Sequence, residues 1–341
     1  MTLPKLLPTL SFPRATVLCM ALALTVGAAS AGPLLDRIKE RRAARAESKA
    51  EEKAPTTEPS AEQTLEDPNG GDDAPSTVAR NVVRDVAYGT DPKQRMDVYL
   101  PAKGAALAPV IFMVHGGAWR MGDKRMGNVV DNKVARWVPK GFVFISVNNR
   151  LLPEADPLDQ VRDVAQALAS AQSKATGWGA DPKQFILMGH SAGAHLVALL
   201  ASSASLATQA GAQPWLGTVA LDSAALDVAP IMQGKHYKLY DPAFGTDPTF
   251  WKAVSPQQQL QSGSKPLLMV CSVRRDESCG QARAFAARAT SIGVRVQVLP
   301  QDMTHSEINK ELGLGTAYTQ AVEGFMASLS APVAATLQRG L

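Results

Sequence analysis

Ser191 lies in the pentapeptide Gly189-His190-Ser191-Ala192-Gly193, a G-x-S-x-G pattern. The apolar run QFILMGH precedes it at 184–190, and a run of small apolar residues from Ala192 to Leu206 follows. This order predicts a buried strand, a sharp turn and a helix. Small residues permit such a turn, which holds the serine hydroxyl out of the sheet, within reach of a base and a carbonyl. The helix N-terminus behind it favours negative charge that develops nearby. The chemistry implied is nucleophilic attack by Ser191. A second turn, His115-Gly116-Gly117-Ala118-Trp119, ends another apolar run. Its glycines let backbone N–H groups approach a substrate oxygen. Gly117 is the expected upstream donor of an oxyanion hole, with Gly116 close behind and the Ala192 N–H beside them. Trp119 either walls the acyl site or packs beneath the loop. His115 is read as a residue that orders this loop.

A serine nucleophile needs a base and a group to orient that base. His305 follows a run at 294–300, and Asp276 follows a run at 265–273. The order Ser, Asp, His suits a triad of this kind. Glu277 rivals Asp276, and Asp302 does so less well, lying three residues before His305 on one loop. His190 and His195 flank the nucleophile and are expected to pack or bond locally, with His190 also a candidate pocket residue. His236 lies in a stretch that borders the pocket. His190 and His195 are five residues apart with no glutamate between them, which does not fit a zinc-binding HExxH helix. No phosphate-binding loop or dinucleotide fingerprint occurs, so no cofactor and no metal is expected.

The elements that must position these residues are readable as a sequence of short apolar runs and helical patterns. Two opening strands, NVVRDVAYG and MDVYLPA, precede strands at 108–115, 141–147, 184–190, 218–223, 265–273 and 294–300. Helical spacing marks 158–171, 192–206, about 279–292 and 316–329. Strands alternating with helices imply an α/β fold, a mainly parallel sheet with helices on both faces.

Several stretches together resemble the α/β-hydrolase superfamily, in its esterase/lipase branch with a His-Gly-Gly loop. They are HGGAWRMGDK (115–124), NNRLLPEADPLDQVRDVAQAL (148–168), GADPKQFILMGHSAGAHLVAL (179–199) and DPTFWKAVSP (247–256). Within that branch the chain is similar to bacterial carboxylesterases that include feruloyl-esterase-like and kynurenine-formamidase-like members. The resemblance spans about residues 82–330. It implies Ser191 as nucleophile, His305 as general base, Asp276 as acid, and Gly116, Gly117 and Ala192 as oxyanion donors. It also implies that Asp123 and Asp163 support the fold. Asn149 stands where the family usually has a tyrosine before Arg150. The loop CSVRRDESCG lacks the family's usual character after the strand that carries the acid.

The resemblance implies hydrolysis of carboxylic esters, and with no long lid insertion visible, of small to medium ones. An arylformamidase or amidase, a peptidase and a non-catalytic binding protein on a hydrolase scaffold are the alternatives. The chain has 341 residues, is 45% hydrophobic and carries a net charge of +4, enough for a sizeable core and only mildly basic. No basic repeat or aromatic-basic interleaving supports nucleic-acid binding. Residues 1–31 read as a secretory signal: Lys5 and Arg14, the uncharged run Val17 to Ala29, and an A-x-A site at Ala29-Ser30-Ala31. The run is shorter than the roughly 20 residues that span a bilayer. Residues 32–79 read as a charged, flexible linker and 80–341 as the catalytic domain. An exported, periplasmic or secreted protein is therefore expected. Cys271 and Cys279, the pair left after the signal, are candidates for one disulfide.

Overall fold

A computed structural model describes residues 81–102 and 107–339. The signal and linker assigned to 1–31 and 32–79 lie outside the described residues. The strands are β1 (Val82–Ala87), β2 (Arg95–Tyr99), β3 (Ala108–Val114), β4 (Val143–Val147), β5 (Ala180–His190), β6 (Gly217–Leu221), β7 (Leu267–Ser272) and β8 (Val296–Gln301). They join in one sheet of order β1-β2-β4-β3-β5-β6-β7-β8. β1 and β2 are antiparallel to each other, and β2 is antiparallel to β4. Every later pair is parallel. The α/β fold read from the sequence is the fold observed.

The helices in chain order begin with α1 (Gly127–Trp137), α2 (Pro157–Lys174), α3 (Ala192–Ser202) and α4 (Ala204–Gln209). Between β6 and β7 come α5 (Val228–Gln233), α6 (Asp241–Phe244), α7 (Pro248–Ala253) and α8 (Pro256–Gln259). The last four are α9 (Asp276–Ser291), α10 (His305–Lys310), α11 (Ala317–Ala327) and α12 (Ala331–Leu337). Both faces of the sheet are covered. On β3, Val110, Phe112 and Val114 join a core with α2, α3 and α9, whereas Ile111 and Met113 join a core with α1, α10, α11 and α12. The period-two alternation of strand side chains thus feeds two apolar layers. That burial, at about 25 cal/mol per Å² of apolar surface, is the main force holding the layers together.

Two polar clasps tie loops to this frame. The Asp163 carboxylate on α2 accepts from the backbone N–H and side chain of Arg150 and from Gln94. Asp123 accepts from Asn148 Nδ2 at 2.7 Å. Both aspartates hold chain segments together. The stretch between β6 and β7 departs from the sequence reading. It folds into four short helices, with a 3-10 turn at Lys238–Tyr240 that supplies side chains to the site. Each piece is too short for helical periodicity to register, and Pro248 and Pro256 restart the chain at N1 positions.

Candidate active site

Ser191 sits between the end of β5 and the start of α3 with φ 55° and ψ −118°. A non-glycine residue in this region is strained and must be held by its surroundings. Here the Ser191 N–H donates to the Leu221 carbonyl at 2.9 Å, and its carbonyl accepts from His195 N–H at 3.0 Å. Glycine on the far side permits close packing. A Cβ on Gly193 would lie 2.4 Å from the carbonyl oxygens of both Val114 and His115. The Ser191 turn therefore lies against the end of β3, where the second loop begins.

Ser191, Ala192 and His305 line one cavity of about 440 Å³, together with Trp119, Asp222 and Arg275. His305 opens α10, whose N-terminus is fixed by a capping box between Thr304 and Glu307. Its ring Nδ1 lies 2.5 Å from Asp222 Oδ2. Donation from Nδ1–H to that carboxylate leaves Nε2 with its lone pair, the form a general base requires.

The carboxylate facing the imidazole is thus Asp222, and the expectation of Asp276 is corrected. Asp276 is the first residue of α9 and lies in its first turn, where an acidic side chain suits the positive end of the helix. Neither rival replaces it. Asp302 pairs with Arg274 at 2.8 Å, and Glu277 lies 3.9 Å from Arg275. Asp222 directly follows β6, one strand earlier than expected. In the sequence it falls at the tail of the apolar run 218–223. A lone carboxylate at the carboxyl end of a buried parallel strand was the signal available, since ligands in open α/β sheets bind beyond those ends.

Asp222 is fully buried. Burial alone raises a carboxyl pKa, but hydrogen bonds from His305 and Ser278 and the positive charges of His305 and Arg275 outweigh it, holding Asp222 well below the usual carboxylate range. Ser272 N–H also donates to its Oδ1 at 2.7 Å.

The second loop reaches the same cavity. Ala118 and Trp119, not Gly116 and Gly117, line the cavity beside Ser191. Gly117, at φ 117°, makes the tight turn itself, and its carbonyl accepts from Arg120 and Met121 N–H groups. A Cβ there would stand 2.2 Å from the Met121 carbonyl oxygen. Gly116 instead backs onto the nucleophile turn, where a Cβ would come within 3.0 Å of Ser191 Cβ. Ala118 and Trp119 both adopt positive φ, 49° and 60°. This is a second concentration of strain at the same cavity. Ala192 is the first residue of α3, so its N–H has no partner within the helix.

The remaining histidines separate cleanly. His190 does not line the cavity and is buried behind it, correcting its reading as a pocket residue. Its ring packs 4.4 Å from that of His305, and Nε2 is 3.0 Å from the His305 carbonyl oxygen. Burial, with the His305 charge adding to it, pushes His190 well below the ordinary histidine range. His195 accepts from the Trp119 indole N–H at 3.1 Å and contacts the Val254 carbonyl through Nε2 at 2.7 Å. Burial pushes its pKa down to about 4, against that carbonyl. His115 Nδ1 lies 2.7 Å from the Gly116 carbonyl oxygen, which orders the loop. His236 pairs with Asp241 at 2.9 Å. Trp119 both lines the cavity and packs, with ring contacts to His195, Tyr240 and Phe244. Cys271 and Cys279 form a disulfide that joins the end of β7 to the first turn of α9. Among the described residues, no group of three histidine, cysteine or acidic side chains is placed to hold a metal ion, and no helix is long and apolar enough to cross a membrane.

The fold is an α/β-hydrolase fold, and its cavity brings a serine, a histidine and an aspartate together. Residues 96–282, more than half of the chain, match the BD-FAE family model, and the chain belongs to that family. Esterase LipQ of Mycobacterium tuberculosis is 29% identical over 199 residues, 54% of this chain and 47% of that protein. The isoprenylcysteine alpha-carbonyl methylesterase of Arabidopsis thaliana is 33% identical over 120 residues, 35% of this chain and 27% of its own length. A kynurenine formamidase of Danio rerio is 31% identical over 160 residues, 45% of this chain and 50% of that one. The matches thus span half or less of these relatives. Among solved structures, Thermogutta terrifontis esterase 2 phosphonylated by sarin superposes with a TM-score of 0.61 at 20% identity, covering 74% of this chain and 96% of that one. A truncated carbohydrate esterase from gut microbiota gives 0.63 at 19% identity, covering 76% and 99%. At these identities the structural likeness concerns the fold.

Proposed function

We propose that this protein is a serine carboxylesterase that hydrolyses small to medium carboxylic esters through an acyl-enzyme. The observation that carries this reading is one cavity shared by Ser191, at a strained strand–helix turn, and His305, bonded to the buried Asp222. His305 takes the Ser191 proton as Oγ attacks the ester carbonyl. The oxyanion meets the Ala192 N–H and the N–H groups of the strained Ala118–Trp119 turn. His305 then protonates the leaving alcohol, and water repeats the attack on the acyl-enzyme. Asp222 keeps the imidazole in the required tautomer and stabilises its charged form. The cavity of about 440 Å³, walled by Trp119, Tyr237, Leu239 and Tyr240, suits a compact, largely apolar substrate group.

The test is a panel of short p-nitrophenyl esters with purified wild type and Ser191→Ala. Turnover is expected to fall by roughly 10³-fold or more in the variant, with loss of fluorophosphonate labelling. Equal turnover by Ser191→Ala rejects the mechanism. Likeness to a kynurenine formamidase favours arylformamide hydrolysis as a second reading. N-formylkynurenine in the same panel separates the two by kcat/KM. Export to the periplasm or beyond is also proposed. It is supported by the signal pattern at 1–31 and by the Cys271–Cys279 disulfide, a bond that persists in oxidising compartments. A mature N-terminus at Gly32 is expected, and an intact Met1 in the exported protein overturns it.

A further inference from the structure

The loop after β7, where the acid was expected, presents a cation to the imidazole instead. Arg275 Nη1 lies 2.8 Å from Asp222 Oδ2, 3.2 Å from the Asp222 carbonyl oxygen and 2.8 Å from His305 Nδ1. Its side chain is only 26% exposed. Asp222 Oδ2 is therefore shared between two donors, the guanidinium and the imidazole. We propose that Arg275 is a positioning residue of the hydrolytic site: it pins the Asp222 carboxylate and opposes the positive charge that His305 acquires. The inference rests on the esterase reading above.

The physical argument is short. An imidazolium beside a carboxylate alone gains the full attraction of that charge. With a guanidinium on the same oxygen, the carboxylate is partly neutralised and a second cation stands at contact distance. Arg275 thereby offsets part of the stabilisation that Asp222 gives the charged ring. The other groups around His305 do not supply this effect. His190, from the end of β5, faces the ring at 4.4 Å and is held neutral by burial. Glu307, on α10 itself, is turned to the Thr304 N–H and lies 3.6 Å from Arg274, which also binds Asp302. Glu277 lies 3.9 Å from Arg275 Nη2. Lys133, from α1, is buried and bonded to the Asn309 carbonyl on α10. The disulfide closes the loop that carries Arg275, so its position does not depend on the ion pair alone.

The experiment is the pH profile of kcat/KM on a short p-nitrophenyl ester for wild type, Arg275→Gln and Arg275→Lys, with near-ultraviolet circular dichroism as the check on folding. In Arg275→Gln the acid limb is expected to move up by about one pH unit, the scale of one neighbouring charge largely screened by water. In Arg275→Lys the limb is expected to stay within about 0.3 unit, because the charge is kept, while kcat falls several-fold as the Nη1 contacts to the Asp222 carboxylate and carbonyl are lost. An unmoved limb in folded Arg275→Gln overturns the proposal. Should that variant not fold, a full-unit upward shift in Arg275→Lys overturns it. Fluorophosphonate labelling of wild type separates this failure from failure of the esterase reading: labelling persists in the first case and is absent in the second.

Discussion

Asp222 is a buried carboxylate that accepts from four donors: Ser272 N–H, Ser278 Oγ–H, Arg275 Nη1 and His305 Nδ1. With both oxygens occupied, it has one orientation available. It thereby fixes the His305 ring and selects the tautomer with Nδ1 protonated. Asp222→Asn keeps the shape but offers an amide where an anion is needed, so the imidazole loses both its tautomer preference and its counter-charge. The expected result is a fall in kcat of roughly 10³- to 10⁴-fold, read from steady-state ester hydrolysis. Asp276→Asn, on the outer turn of α9, is expected to leave kcat within about twofold, as for a surface change away from the site. A large loss in Asp276→Asn with none in Asp222→Asn would restore the assignment by chain order.

At the scale of elements, the acid and its donors come from neighbouring strand ends. Asp222 directly follows β6, Ser272 ends β7, the loop after β7 carries Arg275, and the first turn of α9 carries Ser278. The Cys271–Cys279 bond closes this loop. Replacing both cysteines by serine should therefore affect stability and catalysis together. Loop-closure entropy for so short a loop is worth roughly 2–3 kcal/mol. Urea unfolding is expected to show that loss, and kcat to fall several-fold as Ser278 and Arg275 lose their registration on Asp222. Unchanged kcat would make the bridge a stabiliser alone. The sequence was legible where one rule dominated. Buried parallel strands are continuous apolar runs, so β3 to β7 were visible, and the G-x-S-x-G turn between β5 and α3 marked its serine. The acid was not legible, because Asp222 and Asp276 both follow apolar strands and both fall between Ser191 and His305. Only the packing decides: α9 begins at Asp276 and absorbs it, while the end of β6 adjoins Ser191 through the Leu221 carbonyl. The left-handed turn at Ala118 and Trp119 was hidden for a related reason. Positive φ in non-glycine residues is imposed by surroundings, not by residue type.

At the scale of the whole molecule, the site depends on how the α1 layer holds α10. Lys133 on α1 is buried, and its ammonium donates to the Asn309 carbonyl on α10 at 2.6 Å and to the Asn128 carbonyl at 3.1 Å. Through Asn309 it anchors the short helix that begins at His305. Burial lowers the Lys133 pKa to about 7, with Asp131 opposing this only in part. In the unfolded chain a lysine titrates near 10.4. Between these values the unfolded state binds more protons than the folded one, so stability from this group rises with pH. The penalty is full below about pH 7 and vanishes above the unfolded value, with a slope of at most about 1.4 kcal/mol per pH unit. Lys133→Met removes the titration but leaves the two carbonyls without their donor. Its stability relative to wild type is therefore expected to be most favourable near pH 6 and to decline steadily from pH 7 to pH 10. Taking the difference between the two proteins cancels the titration of the other lysines and tyrosines. Urea midpoints at four pH values would show the trend, and a difference that is flat across that range would mean that Lys133 stays charged in the folded protein. Ester kcat measured alongside separates the two duties of this residue. If Lys133 also seats His305, kcat falls in the variant even at pH 6, where its stability is best.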